Sequence, residues 1–67
     1  MSRWQVVYQT TMEHQAQIIK DVLENSGINS IIFDMKDQAY KWGHIEVRVE
    51  HDSVIQAIRL IQEIDLK

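Results

Sequence analysis

Positions 34 to 47 read DMKDQAYKWGHIEV and gather Tyr40, Trp42 and His44 within five residues, with Lys36 and Lys41 beside them. The whole chain holds only two Trp, two Tyr and one Phe, so two of its largest side chains are spent on a stretch that otherwise reads as a polar turn. Aromatic planes next to ammonium groups suit a flat anionic ligand, and Tyr and Trp also concentrate in the hot spots of protein interfaces. A plainer use is cover. In a chain this short a large aromatic folded back over the end of the core contributes more buried area than any other residue. The expectation is that Tyr40 and Trp42 form such a lid, with a binding surface as the alternative.

His14, His44 and His51 raise the question of a metal. A zinc site needs three or four convergent ligands and a supporting shell. These histidines fall on separate elements without His-x3-His spacing, so no metal or other cofactor is expected. Thr11 with His14 is the one pair that could be read as nucleophile and base. Both fall in a first helical turn, where capping already accounts for the threonine, and catalysis is not expected. Glu46, Arg48 and Glu50 read as a solvated strand face with cross-strand ion pairs of little energetic weight.

These residues must be positioned by a short series of elements. WQVVYQT (residues 4–10) alternates with period two, placing Trp4, Val6 and Tyr8 on one side and Gln5, Val7 and Gln9 on the other, which predicts a half-buried strand. In TTMEHQAQIIKDVLENSG, Thr10 with Glu13 fits a capping box. Met12, Ala16, Ile18, Ile19, Val22 and Leu23 share one helical arc, and Gly27 suits a left-handed C-terminal cap. INSIIFDM is a second strand with apolar residues on both sides. HIEVRVE alternates cleanly, with Ile45, Val47 and Val49 inward. A second helix follows, capped by Asp52 or by Ser53 with Gln56, and buries Val54, Ala57, Ile58, Leu60, Ile61 and Ile64. Ile55 lies off that arc. The last residues, DLK, could add a very short fourth strand.

The order β-α-β-β-α, with each helix amphipathic on one side, predicts an α+β fold: one antiparallel sheet with both helices on one face. A right-handed crossover and a hairpin between the second and third strands put the third strand in the middle, the ferredoxin-like split β-α-β-β-α(-β) plan. The first strand is then an open edge, a liability that proteins usually manage. This topology brings the end of the first strand, the start of the first helix and the loop of residues 35–43 to one end of the sheet. Thr10, Thr11, His14, Lys36, Tyr40, Lys41, Trp42 and His44 thereby form the candidate ligand site, where helix N–H groups favour an anion.

Sixty-seven residues make one domain, spanning 1–67, with one small core. A chain of this length buries only about 60% of its unfolded surface and benefits from a partner subunit. Without cysteine, disulfides and thiolate metal sites are excluded. A formal charge of −3 argues against nucleic acid. RNA-binding domains of the same plan stack bases on outward aromatics. Here the expected outward residues are Gln5, Val7 and Gln9 on the first strand and His44, Glu46, Arg48 and Glu50 on the third. No apolar run approaches the roughly 18 residues of a membrane span and no leader is evident, so a soluble cytoplasmic protein is expected.

The stretches WQVVYQTTMEHQAQIIKDVLENSGINSIIF and DQAY…WGHIEVRVEHDSVIQAIRLIQE resemble the small bacterial domains named putative prokaryotic signal-transducing proteins. The resemblance covers nearly the whole chain. It rests on a Thr-rich turn after the first strand, a helix ending in LENSGI, a short Asp-to-Tyr loop, a Gly before IEVRV and an acidic start to the last helix. Such domains look like minimal relatives of the PII signal proteins, which bind nucleotide between subunits and carry a long loop between the second and third strands. Here that loop is short and no glycine-rich phosphate cradle is present. The resemblance implies a ferredoxin-like fold and a regulatory, non-catalytic role. The functional expectation is a protein-interaction module, with a homodimer through the first-strand edge as one form. The alternative is a sensor of a small anionic or nucleotide-like metabolite.

Overall fold

The computed structural model describes residues 3–34 and 44–64. Lys36, Tyr40, Lys41 and Trp42, and the proposed fourth strand at residues 65–67, lie outside the described residues. The element order is β1 (Trp4–Thr10), α1 (Glu13–Asn25), β2 (Ser30–Asp34), β3 (Ile45–Glu50), a 3-10 turn (His51–Ser53) and α2 (Val54–Gln62). The sheet order is β1-β3-β2, and β3 runs antiparallel to both neighbours. This is the α+β, ferredoxin-like arrangement that the amphipathic patterns require.

The core forms where β3 meets α1. Ile45, Val47 and Val49 on alternate positions of β3 are buried against Ala16, Ile19 and Leu23, which recur at helical spacing along α1, together with Ile28 and Ala57. Each such aliphatic side chain contributes about 1.5–3 kcal/mol on full burial. Val54, Leu60, Ile61 and Ile64 of α2 and its C-terminal end pack against this cluster without being fully enclosed. Met12, Ile18 and Ile58, expected in the buried arcs, are exposed by 46%, 42% and 41%. A three-stranded sheet covers only a narrow stripe of each helix, and these residues fall outside it.

The first strand departs most from expectation. Its pairing with β3 slips between Val6 and Tyr8, so Val7 is an extra residue. Such a bulge shifts the phase of alternation. Tyr8 pairs with Val47 on the helix side, and both Val7 and Tyr8 pack against the core. Trp4 and Val6 instead pair with Glu50 and Arg48 and lie on the helix-free side. Trp4, Val6 and Tyr8 therefore do not share a face. No glutamine is buried in exchange: Gln9 lies opposite Glu46, and Gln5, exposed at the edge, bonds His51 Nδ1 at 2.7 Å.

Both expected capping boxes are absent. The N-cap of α1 is Met12, with no side-chain cap bond. Thr10 Oγ1 accepts the Met12 N–H at 3.1 Å and donates to Gln15 Oε1 at 2.7 Å, which pins the turn before the helix without reaching Glu13. Ser53 does occupy the N-cap position of α2 but makes no cap bond, because the preceding 3-10 turn carries the chain into the helix. At the other end of α1 the expected cap is present. Gly27 has φ +84°, its N–H bonds the Glu24 carbonyl at 3.0 Å, and the Ile28 N–H bonds the Leu23 carbonyl at 2.9 Å. This is a Schellman closure, sealed by the buried Leu23 and Ile28.

A Cβ at Gly27 would meet nothing within 4 Å, so substitution there costs backbone strain alone. Gly27→Ala is expected to lower unfolding free energy by about 1–2 kcal/mol. In urea denaturation this would show as a lower midpoint with an unchanged slope.

Candidate functional site

The loop end of the sheet is assembled as the topology requires. Thr10, Ile45 and Asp34 stand side by side on β1, β3 and β2, with α1 starting just beyond. Thr10 is half-buried and its hydroxyl is committed to Met12 and Gln15, whereas Thr11 and His14 are exposed. A cleft of about 200 Å3 opens here between α1 and the strand ends, lined by Glu13, Ala16, Gln17, Ile32, Asp34 and Ile45. Its polar rim carries two carboxylates and an amide. His44 does not face this cleft. Its Nε2 lies 3.0 Å from Glu46 Oε2, on the other side of the sheet. Among the described residues no group of three or more His, Asp or Glu side chains converges as a metal site.

The helix-free face holds the more organised constellation. Down its centre run His44, Glu46 and Arg48, alternate residues of one strand. Arg48 donates to Glu46 Oε1 through Nε at 3.1 Å and Nη2 at 2.6 Å. His44 engages the second oxygen, which also accepts from Gln9 Nε2 at 3.4 Å. Both carboxylate oxygens are thus used, and Glu46 is only 9% exposed although no helix among the described residues covers it. The expected solvated row with cross-strand pairs is instead one shielded carboxylate held by its own strand. The Arg48 hydrogen bond, followed by that from His44, holds the Glu46 carboxyl below the usual glutamate range; burial opposes the shift without cancelling it.

Apolar groups flank this polar line. On β2, Ile31 pairs with Arg48 and Phe33 with Glu46, and the Arg48 guanidinium sits 4.3 Å from the Phe33 ring centre. On β1, Trp4 and Val6 take the same side. Phe33 and Val6 are each 40% exposed. The outward face therefore carries aromatics after all, contrary to the reading that placed Trp4 inward. Two signals in the sequence pointed to this face. The adjacent Val6 and Val7 break the alternation of β1, and His44-x-Glu46-x-Arg48 places a base, an acid and a base on one side of a strand.

The fold is that of a small α+β domain with one helix layer and an open sheet face among its described residues. Over residues 4–65 the chain matches the family described as "Putative prokaryotic signal transducing protein", and it belongs to that family. No curated protein and no solved structure gives a significant match. No helix among the described residues is long and apolar enough to cross a membrane.

Because Glu46 binds its proton more weakly when folded, it stabilises the fold at pH values above the usual glutamate range. That contribution is lost as pH falls through its lowered value. The acid limb of a stability-versus-pH curve is expected to be shallower in Glu46→Gln than in wild type. Parallel curves for the two proteins would show that the network carries no such linkage.

Proposed function

We propose that this protein is a non-catalytic signalling module that works by docking a protein partner on the helix-free face of its sheet. The observation that carries the reading is the composition of that face. Trp4, Val6, Ile31 and Phe33 surround a central carboxylate whose oxygens are already bonded within the chain. A partner covering it would not have to desolvate a free carboxylate, which is the usual cost of burying one. The apolar flanks supply area, and Arg48 supplies the kind of anchored cation that interfaces favour.

Nucleic acid fits this face less well. One side of the Phe33 ring is already occupied by Arg48, and the chain carries net negative charge. A small-anion sensor at the loop end is the other reading; the cleft there is lined by Glu13, Gln17 and Asp34 as well as by Ala16, Ile32 and Ile45.

A photo-crosslinking residue placed at Phe33, with a control at the exposed Glu24 of α1, tests the reading in living cells. Protein adducts are expected at Phe33 and not at Glu24. Equal yields at the two positions, or none at Phe33, would remove the docking face. A thermal-shift screen of nucleotides and anionic metabolites addresses the sensor. No compound is expected to stabilise wild type, although a true ligand at a hundredfold excess over Kd would add about 2.7 kcal/mol. A ligand-specific rise that disappears in Trp42→Ala would replace docking with sensing.

A further inference from the structure

Apart from the helix-free face, α2 carries exposed apolar residues of its own. Ile55 is 76% exposed and Ile58 41%, one helical turn apart on α2. In a right-handed β1-α1-β2 crossover, α2 takes the β1 side of the helix layer, and it packs over β1 and β3. Ile58 follows the buried Ala57 by about 100° in a right-handed helix, which turns it away from α1 and toward the outer edge of the sheet. Val6, 40% exposed, flanks the same edge from the other face.

That edge is β1 itself. In the order β1-β3-β2 the two outer strands are β1 and β2. β2 has five residues and ends in Asp34, while β1 has seven, Trp4–Thr10, and contains no charged residue and no proline. Natural edge strands are usually protected by such residues, and among the described residues the bulge at Val7 is the one protection β1 has. In a chain of net charge −3, this strand is a neutral line along which two copies can approach without like charges meeting.

We infer that β1 is a self-association site at which two copies pair antiparallel about a twofold axis. The two sheets would join into one of six strands, and the two α2 helices would meet across the seam through Ile55 and Ile58. A strand paired with its own copy satisfies the isologous rule, since every contact occurs twice. Backbone groups of the open edge supply the hydrogen bonds and the flanking aliphatic residues supply the burial. Val6 lies at the seam, but the rest of the helix-free face, with Ile31 and Phe33 on the far strand, stays open in both copies, so this inference does not require partner docking.

Sedimentation equilibrium of the full chain over a wide concentration range provides the test. Wild type is expected to show a reversible rise to twice the monomer mass. Ile55→Glu, at a position too exposed to harm the fold, should weaken the dimer by about tenfold or more, because each substitution counts twice at a twofold seam. Val6→Lys is the second variant and should act in the same direction, while Phe33→Lys, on the far strand, should leave the mass unchanged. A monomer at every concentration would overturn the inference and leave the edge to the chain's own last residues or to another protein. A dimer lost in Phe33→Lys but kept in Ile55→Glu would also overturn it, in favour of sheets stacked face to face. Circular dichroism of each variant separates lost association from lost folding.

Discussion

Ile45, Val47 and Val49 hold this molecule together, because β3 is the strand against which every other element is placed. One side of β3 meets α1 and α2 through these aliphatic residues, and both outer strands hydrogen-bond to it. On its other side no helix among the described residues covers it. There the chain substitutes Arg48, His44 and Gln9, which surround Glu46 closely enough to leave it 9% exposed. The central strand is thus enclosed on one side by hydrocarbon and on the other by a self-satisfied ionic line. In a domain with a single helix layer, this shields the sheet centre without a second one. A lone ion pair at the surface contributes little. A carboxylate that accepts bonds from three side chains is a more cooperative object, and its parts gain from being held by one rigid strand.

The family's description points to signal transduction in broad terms, and fold alone does not determine function. What the structure adds is a division of surfaces. The helices pack over one side of the sheet, the ionic line and its aromatic flanks occupy the other, and the uncharged edge of β1 lies between them. A protein of this size that must contact more than one macromolecule has few ways to keep the contacts from interfering, and placing them on different sides of a thin slab is one. The shortest principal extent of the domain is 15 Å, against 35 and 33 Å for the others.

Much of this was legible in the residues. The alternation of IEVRV fixes which side of β3 is buried, the spacing of Ala16, Ile19 and Leu23 fixes the inner line of α1, and Gly27 after LENS marks where the helix must stop. These are local patterns that tertiary packing reinforces. The rest depended on how much cover a three-stranded sheet offers and on one inserted residue. Met12, Ile18 and Ile58 obey helical periodicity yet stay exposed, because periodicity states direction and says nothing about the width of the opposing surface. The Thr10–Glu13 and Ser53–Gln56 pairs have the spacing of capping boxes, but the local turns had already satisfied or redirected the groups concerned. Of the candidate site, Thr10, Thr11 and His14 do sit together at the loop end, while His44 belongs to the opposite face. That separation follows from the half-turn alternation of β3, which the grouping by sheet end overlooked.

The bulge at Val7 has a genetic meaning as well as a geometric one. Val7 is the one residue of β1 that the pairing skips: Trp4, Gln5 and Val6 meet Glu50, Val49 and Arg48, and Tyr8, Gln9 and Thr10 meet Val47, Glu46 and Ile45. Loss of that one codon would join Val6 to Tyr8, and the strand would pair along its whole length with every remaining residue on its present side. Trp4 and Val6 would stay on the open face and Tyr8 beneath the helices. What would go is the local bend that interrupts the outer edge. A lineage could flatten or restore that edge in a single in-frame step while leaving the aromatic flank as it is.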